Sequence, residues 1–282
     1  MSVPFQAILS DGRRHFQHGP IDLVIEAFGD PLEVEMAYAQ AWARFQTALG
    51  ELVAELATLR QPVTSTASTL EGFIARRMHC ACVPHRPAFV TPMAAVAGAV
   101  ADEILKMLTA SRRLARAYVN NGGDIALYLA PGESLTTGVV ALAEGPQGCG
   151  LARIGAASPV RGIATSGWRG RSLSLGIADS VTVLARTAAE ADVAATLIAN
   201  TVDVDDPAIR REPAAALDPD SDLGDKLVTV EVGPLPLLKV AQALDRGAAT
   251  AAAMVAKGLA IEAFLVLRGE KRIVGDALSS AA

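Results

Sequence analysis

The segment from Arg161 to Asn200 contains the polar groups best suited to bind an anion together with a hard cation. Its first part includes Thr165, Ser166 and Gly167, whose backbone N–H and side-chain O–H groups can point toward one anion. Its last part includes Asp192 and Thr196, which are four residues apart and therefore share one face if the segment is helical. A donor loop combined with a carboxylate and a hydroxyl is suited to a phosphate and its Mg²⁺ ion.

Each of these features also has an ordinary structural explanation. Trp168, Arg169 and Arg171 could stack on a ring and pair with phosphates, but solvated arginines in an exposed loop are equally common. Asp192 and Thr196 supply only two oxygen ligands, so Mg²⁺ would need further carbonyls, waters or phosphates. A polar pair on the surface of a helix is the commoner outcome of that spacing.

Two further groups of residues are candidates for binding. Asn121, Gly122, Gly123 and Asp124 lie between two apolar segments. Asn-Gly is typical of a tight hairpin turn, and the alternative is a backbone-lined turn that reaches a ligand. The second group is a short run of soft ligands that spans residues 79–85, namely His79, Cys80, Cys82 and His85. Zinc sites usually draw two ligand pairs from separated segments, so we interpret this run as structural and leave its role open.

Composition restricts the classes of function. The 282 residues are 51% hydrophobic and 20% charged with a net charge of −5, which indicates a globular protein and disfavours nucleic acid as a partner. We expect no membrane segment, because no apolar run approaches the ~20 residues that a span requires. Three cysteines and the lack of a secretory pattern in residues 1–14 favour the cytoplasm. We expect one domain over residues 1–282, with an acidic Pro/Asp-rich loop over 203–225.

The elements that would position these residues can be predicted from hydrophobic periodicity and from proline and glycine. The predicted helices cover residues 31–59, 70–78, 93–109, 188–200 and 235–259. The predicted strands cover residues 21–27, 115–119, 125–130, 139–143, 163–165, 172–177, 180–185 and 228–232, with a final hairpin over 260–274. This mixture lacks regular βαβ alternation and predicts an α+β fold. The Ala-rich stretch 247–257 fits either a packed core or the face of a homo-oligomer.

Five segments, taken in order, resemble the ApbE-like superfamily. They read MAAVAGAVAD at 93–102, NGGDI at 121–125, ATSG at 164–167, SVTV at 180–183 and ADVAAT at 191–196. The resemblance extends over roughly residues 20–270 and is greatest for a short, largely uncharacterised bacterial and archaeal branch. It implies an ApbE-like α+β fold in which mixed or antiparallel sheets pack with helices. It also implies a site for FAD or a related flavin nucleotide.

The founding members of this superfamily are Mg²⁺-dependent enzymes that transfer FMN from FAD to a protein threonine. By resemblance, Asp192 and Thr196 fall at positions of metal ligands, and a backbone carbonyl at Val96 or Ala97 would be a third ligand. The loops 121–124 and 165–167 would face the dinucleotide, Arg169 and Arg171 would neutralise phosphate, and Trp168 would pack against a ring.

Two features of the FMN transferases are missing. Their His-containing Asp-Pro-x-Thr-Gly segment is absent, because Leu173–Asp179 runs directly into Ser180, and Ala97 occupies a position where the transferases have lysine. Since phosphoryl chemistry depends on positioned charge, these losses affect transfer more than binding. Three hypotheses stay open: Mg²⁺-assisted flavin or phosphoryl transfer, a non-catalytic flavin carrier or assembly protein that binds a protein partner, and an accessory role in sulfur assimilation into homocysteine. No catalytic residue is assigned.

Overall fold

The computed structural model describes residues 3–139, 150–170 and 172–275. These form two compact units. The first contains the described residues of Met1–Thr136, Arg153–Ala164 and Ala185–Asp192, and the second contains the described residues of Thr137–Ala152, Thr165–Leu184 and Val193–Ala282. In chain order the strands are β1 (Phe5–Ile8), β2 (Arg14–His18), β3 (Ile21–Gly29), β4 (Leu114–Asn121), β5 (Asp124–Leu129), β6 (Ser134–Val139), β7 (Gly150–Gly155), β8 (Gly162–Ser166), β9 (Ser180–Ala185), β10 (Ile209–Pro213), β11 (Leu227–Val232), β12 (Glu262–Leu267) and β13 (Glu270–Val274). The α-helices are α1 (Pro31–Ala54), α2 (Leu56–Leu59), α3 (Phe73–Cys82), α4 (Val96–Thr109), α5 (Ala188–Thr201), α6 (Ala214–Leu217) and α7 (Leu237–Ala256).

The first unit is an antiparallel sheet covered by helices. Its strands are hydrogen-bonded in the order β1-β2-β3-β4-β5-β8, and α1 and α4 pack against them. Ile21, Leu23 and Ile25 alternate toward the core, as expected for a strand with one covered face. Helix α1 begins after Asp30, whose carboxylate accepts the Leu32 N–H at 2.9 Å, and Pro at the first helical position needs no N–H partner.

The second unit contains β9, β12 and β13 as antiparallel neighbours, with α7 packed against β12 and β13. A separate antiparallel pair is formed by β10 and β11. Helix α7 buries one stripe that includes Val240, Leu244, Gly247 and Ala251. The Ala-rich stretch therefore contributes to this unit's own core through at least one face.

The predicted α+β class is confirmed, and the helices that carry the motif segments lie where periodicity predicts them. The predicted strand over 172–177 is wrong, because this stretch bonds to the end of α5. The Leu175 N–H donates to the Asn200 side-chain oxygen at 3.0 Å, and the Ile177 N–H donates to the Val202 carbonyl at 2.8 Å.

Two other local predictions need correction or completion, and two strands were not predicted. Residues 203–225 are not wholly irregular, since β10 and the single turn α6 lie within them. The strands β1 and β2 were not predicted, because their short segments lack a sustained alternation of apolar residues. The expected strand over 139–143 lies almost entirely outside the described residues, and β6 ends at Val139. Among the helices of the described residues, none is both long enough and apolar enough to cross a membrane.

Candidate functional site

The starts of α4 and α5 are joined by reciprocal hydrogen bonds in the first unit. The Asp102 carboxylate of α4 accepts the N–H groups of Ala188 and Ala189, each at 3.0 Å. In return, the Gly98 N–H of α4 donates to the Asp192 carboxylate of α5 at 3.0 Å. Both carboxylates thus bond to N–H groups in the first turn of the other helix, where such groups lack intrahelical partners.

The small residues of the segment 93–102 allow this approach. A Cβ atom on Gly98 would lie 2.2 Å from the carbonyl oxygen of Ala188, so no larger residue fits without displacement. Gly162 in β8 is similar, because its Cβ would lie 2.0 Å from the Thr187 carbonyl oxygen. The small side chains of this segment thus serve helix-to-helix contact.

Asp192 lies in an environment that disfavours a bare negative charge. Its removal from water raises the pKa of its carboxyl well above the ordinary value, and the nearby Asp124 carboxylate raises that pKa further. Backbone N–H groups of Gly98 and Ala97 oppose this shift. Two acidic groups that repel each other beside backbone donors would be stabilised by a cation.

The Asn121–Asp124 segment is the hairpin turn between β4 and β5. Gly122 and Gly123 have φ values of +66° and +116°, which glycine adopts without strain, and Asn121 pairs with Asp124 across the turn. The side-chain amide of Asn121 also donates to the carbonyl oxygen of Ala97 at 3.1 Å. The hairpin interpretation therefore holds, and the same turn contacts the start of α4, where Val96 is the first residue.

Residues 165–167, expected as a loop, lie in the second unit, and Thr165 and Ser166 form the end of β8. The hydroxyl groups of Thr165 and Thr182 are hydrogen-bonded at 2.9 Å. Gly167 has no room for a side chain, since its Cβ would lie 2.6 Å from the Asp179 carbonyl oxygen. Ser166 is half-buried, and Arg171 lies outside the described residues.

Trp168 and Arg169 are held by a buried carboxylate in this unit. Oδ1 of Asp179 accepts the Trp168 Nε1–H at 3.4 Å and the Arg169 Nε–H at 3.2 Å. The Arg169 guanidinium carbon lies 4.7 Å from the centroid of the Trp168 ring. One face of the indole is therefore covered by this guanidinium, which limits how that face can stack on a ligand.

Metal-binding side chains are sparse. Within residues 3–139, 150–170 and 172–275, no group of three or more His, Cys, Asp or Glu side chains is arranged to hold an ion. Thr196 lies one helical turn after Asp192 in α5 and is half-buried. Any magnesium site would therefore depend on backbone carbonyls, water or ligand oxygens besides Asp192 and Thr196.

The soft-ligand run is divided between surface and core. Cys80 is exposed, whereas Cys82 is buried and its thiol donates to the Thr91 carbonyl oxygen at 3.4 Å. Burial raises the pKa of the Cys82 thiol, and the Asp192 carboxylate raises it further. Burial lowers the pKa of His79. Protonated and inward-facing, Cys82 has the properties of a core residue.

The sequence interpretation missed two residues that organise these regions, Asp102 and Asp179. Asp102 ends the small-residue segment and Asp179 comes just before a strand, so each is an acidic residue next to an apolar element. That position is a weak signal, because a surface carboxylate at the end of an element looks the same in sequence.

The fold and the order of these segments define an ApbE-like protein. The structure matches that of a mutant flavin transferase ApbE from Vibrio cholerae with a TM-score of 0.54, over 99% of this chain and 100% of that chain. Sequence identity is 11%, so this likeness establishes the fold alone. The family model described as AbpE bacteria matches residues 6–273, and the chain belongs to that family.

Curated archaeal proteins are similar over part of their length. The UPF0280 protein of Methanopyrus kandleri is 38% identical over 168 residues, which are 57% of this chain and 64% of that protein. The UPF0280 protein of Methanothermobacter thermautotrophicus is 39% identical over 117 residues, which are 41% of this chain and 44% of that protein. The matched segments thus span about half of the length of these relatives.

Proposed function

We propose that the protein binds a flavin nucleotide of the FAD type together with Mg²⁺. The observation that carries the proposal is the environment of Asp192, whose carboxylate accepts the Gly98 N–H at the start of α4. Burial and the nearby Asp124 carboxylate both raise the pKa of this carboxyl. A divalent cation would offset both the lost hydration and the repulsion between the two carboxylates. Membership of the family gives the flavin nucleotide as the ligand to test first.

In this proposal the metal ligands are Asp192, Thr196 and the backbone carbonyl of Val96. These are oxygen donors, which suit Mg²⁺, and three of them leave positions for water and phosphate oxygens. Bound Mg²⁺ would supply charge neutralisation at a phosphate.

Each unit has its own set of proposed nucleotide contacts. In the first unit, backbone groups of Asn121, Gly122, Gly123 and Asp124 would contact the ligand, and Asp124 would also add negative charge near the metal. In the second unit, Thr165, Ser166 and Gly167 would contribute donors, and Arg169 would bind a phosphate. Trp168 would pack against a ring of the ligand with the face that Arg169 leaves uncovered. Arg171, which lies outside the described residues, is proposed from the sequence alone as a second phosphate contact.

A thermal-shift titration with FAD, FMN and ADP, each with and without Mg²⁺, tests this proposal. We expect FAD with Mg²⁺ to raise the melting temperature most, because it is the ligand pair that the proposal names. A ligand at a hundredfold excess over its Kd stabilises by about 2.7 kcal/mol. The Asp192→Asn variant should lose the Mg²⁺-dependent part of that shift. Asp225→Asn, which removes an exposed carboxylate of the second unit, is the matched control and should keep it. The proposal fails if no flavin nucleotide changes the melting temperature.

A non-catalytic flavin carrier is the second candidate function, and the environment of Ala97 favours it. Both backbone groups of Ala97 are engaged, its carbonyl by Asn121 and its N–H by Asp192, and its methyl group offers no charge to a phosphate. A carrier would bind FAD without cleaving it, whereas FMN transfer from FAD releases AMP. Measuring AMP after incubation with FAD, Mg²⁺ and a threonine-containing protein acceptor distinguishes the two.

A further inference from the structure

The buried carboxylate of Asp179 is the centre of a small polar cluster in the second unit. The residue is 2% exposed, and its two oxygens accept three hydrogen bonds. Oδ1 takes the Trp168 and Arg169 side chains, while Oδ2 accepts the backbone N–H of Arg268 at 2.6 Å. The backbone N–H of Asp179 donates to the Val266 carbonyl of β12 at 2.9 Å, so the main chain of this residue is held in place as well.

Arg169 meets this carboxylate in a way that leaves most of its guanidinium available. The contact uses Nε, and the contacts found among the described residues place no partner on Nη1 or Nη2. The side chain is 45% exposed, so these two nitrogens can reach a ligand. The stacking on Trp168 restricts the plane of the guanidinium, and the bond to Asp179 restricts its rotation in that plane.

We propose that Asp179 is a positioning residue that presents Arg169 to the diphosphate group of a nucleotide such as FAD or ADP. A guanidinium whose orientation is already fixed loses less conformational entropy when it forms two parallel bonds to an oxyanion. Asp179 and the face of the Trp168 ring both attract this cation, so together they favour one orientation of the guanidinium. This inference rests on the proposed function, since it names how that ligand's phosphates are recognised.

The alternative is that Asp179 only stabilises the fold through Arg268 and the strand ends. The two roles differ in what they predict for ligands that lack phosphate. A positioning role acts through Arg169, so it should affect ADP and pyrophosphate more than riboflavin. A purely structural role would alter all ligands equally, or none of them.

The test is calorimetric titration of the full chain with inorganic pyrophosphate, ADP, FAD and riboflavin, using a double-mutant cycle. Arg169→Gln should weaken binding of ADP and FAD roughly tenfold, since charge-assisted bonds are lost. Asp179→Asn should weaken the same ligands severalfold in the wild-type background, but much less when Arg169→Gln is already present. Riboflavin should be unaffected by Arg169→Gln, and Asp179→Asn should weaken riboflavin less than ADP, because Asp179 also bonds the Trp168 indole. Lys257→Gln, which removes an exposed charge elsewhere in this unit, is the control for net charge and should have little effect.

Arg169→Lys keeps the inference testable if Asp179→Asn does not fold. Lysine retains the charge but carries all its donors on one nitrogen, so it cannot bond Asp179 and also present two separate nitrogens to an oxyanion. We therefore expect a loss close to that of Arg169→Gln. Additive effects of the two substitutions, equal losses for riboflavin, or wild-type affinity in both Arg169 variants would overturn the inference while leaving flavin binding intact. Conversely, Arg169-dependent binding of pyrophosphate and ADP without binding of FAD would support the inference and refute the proposed function. Failure of every ligand to bind would refute both.

Discussion

The pKa of Asp102 makes a quantitative prediction about how stability depends on pH. Burial raises the pKa of this carboxyl to about 6, and the N–H groups of Ala189 and Ala188 together with Arg77 only partly offset that effect. Glu190 acts in the same direction as burial. In the unfolded chain an aspartate has a pKa near ~3.9. The folded state therefore binds more protons than the unfolded state between these two values.

The sign follows directly from proton linkage. A carboxyl whose pKa is raised on folding stabilises the native state most at low pH, and that contribution is lost as pH rises from about 4 through about 6. With these two pKa values, the contribution of Asp102 to the free energy of unfolding is about 1.3 kcal/mol larger at pH 5 than at pH 7. Asp192 shifts in the same direction, so the wild-type curve alone does not isolate Asp102.

Urea unfolding of wild type and Asp102→Asn at pH 5, 6 and 7 isolates this contribution. We expect the stability difference, wild type minus variant, to be about 1.3 kcal/mol more positive at pH 5 than at pH 7, because only wild type takes up the proton. Asp225→Asn, an exposed carboxylate, should give a difference that is nearly constant with pH. A constant difference for Asp102→Asn over this range would refute the argument that the carboxylate beneath α5 is costly to ionise.

Three further experiments test the first unit. Gly98→Ala should lower the free energy of unfolding in urea by about 1–3 kcal/mol, because its Cβ would lie 2.2 Å from a backbone oxygen. The control Gly50→Ala has open space in a helix and should raise the free energy of unfolding by roughly 0.5–1 kcal/mol. Asp192→Asn should raise the melting temperature of the ligand-free protein at pH 7, since it removes a carboxyl whose ionisation is disfavoured, and a lower melting temperature would contradict this. Iodoacetamide should label exposed Cys80 much faster than Cys82 in tandem mass spectrometry, and equal rates would show that Cys82 is accessible.

The sequence predicts the helices well because their evidence is spread over many residues. Helix α1 carries a buried stripe that includes Ala37, Ala41 and Phe45, together with Asp30 and Pro31 at its start. Each of these signals is local, so the prediction does not depend on knowing the tertiary partners. The β4–β5 turn was predictable for the same reason.

The failed strand over 172–177 shows what local patterns omit. Its alternating apolar residues resemble a strand, but Gly176 packs so closely on α5 that a Cβ would lie 2.1 Å from the Ala199 carbonyl oxygen. The Asn200 side chain then accepts the Leu175 N–H in place of a neighbouring strand. This partner lies 25 residues away in sequence and could not be inferred from the segment itself.

The motif segments also have structural roles that are independent of any ligand. Gly98 and Gly167 are required where a side chain would meet a backbone oxygen, and Asp102 satisfies two N–H groups of α5. Residues of this kind are needed to build the fold even in a protein that has lost transfer activity. The order of the segments is therefore stronger evidence for the ApbE-like fold than for FMN transfer. In the proposed site the groups left to recognise a ligand or a cation are those of Asp192 and Arg169. Binding measurements on variants of these two residues therefore test flavin binding, and AMP release then separates an enzyme from a carrier.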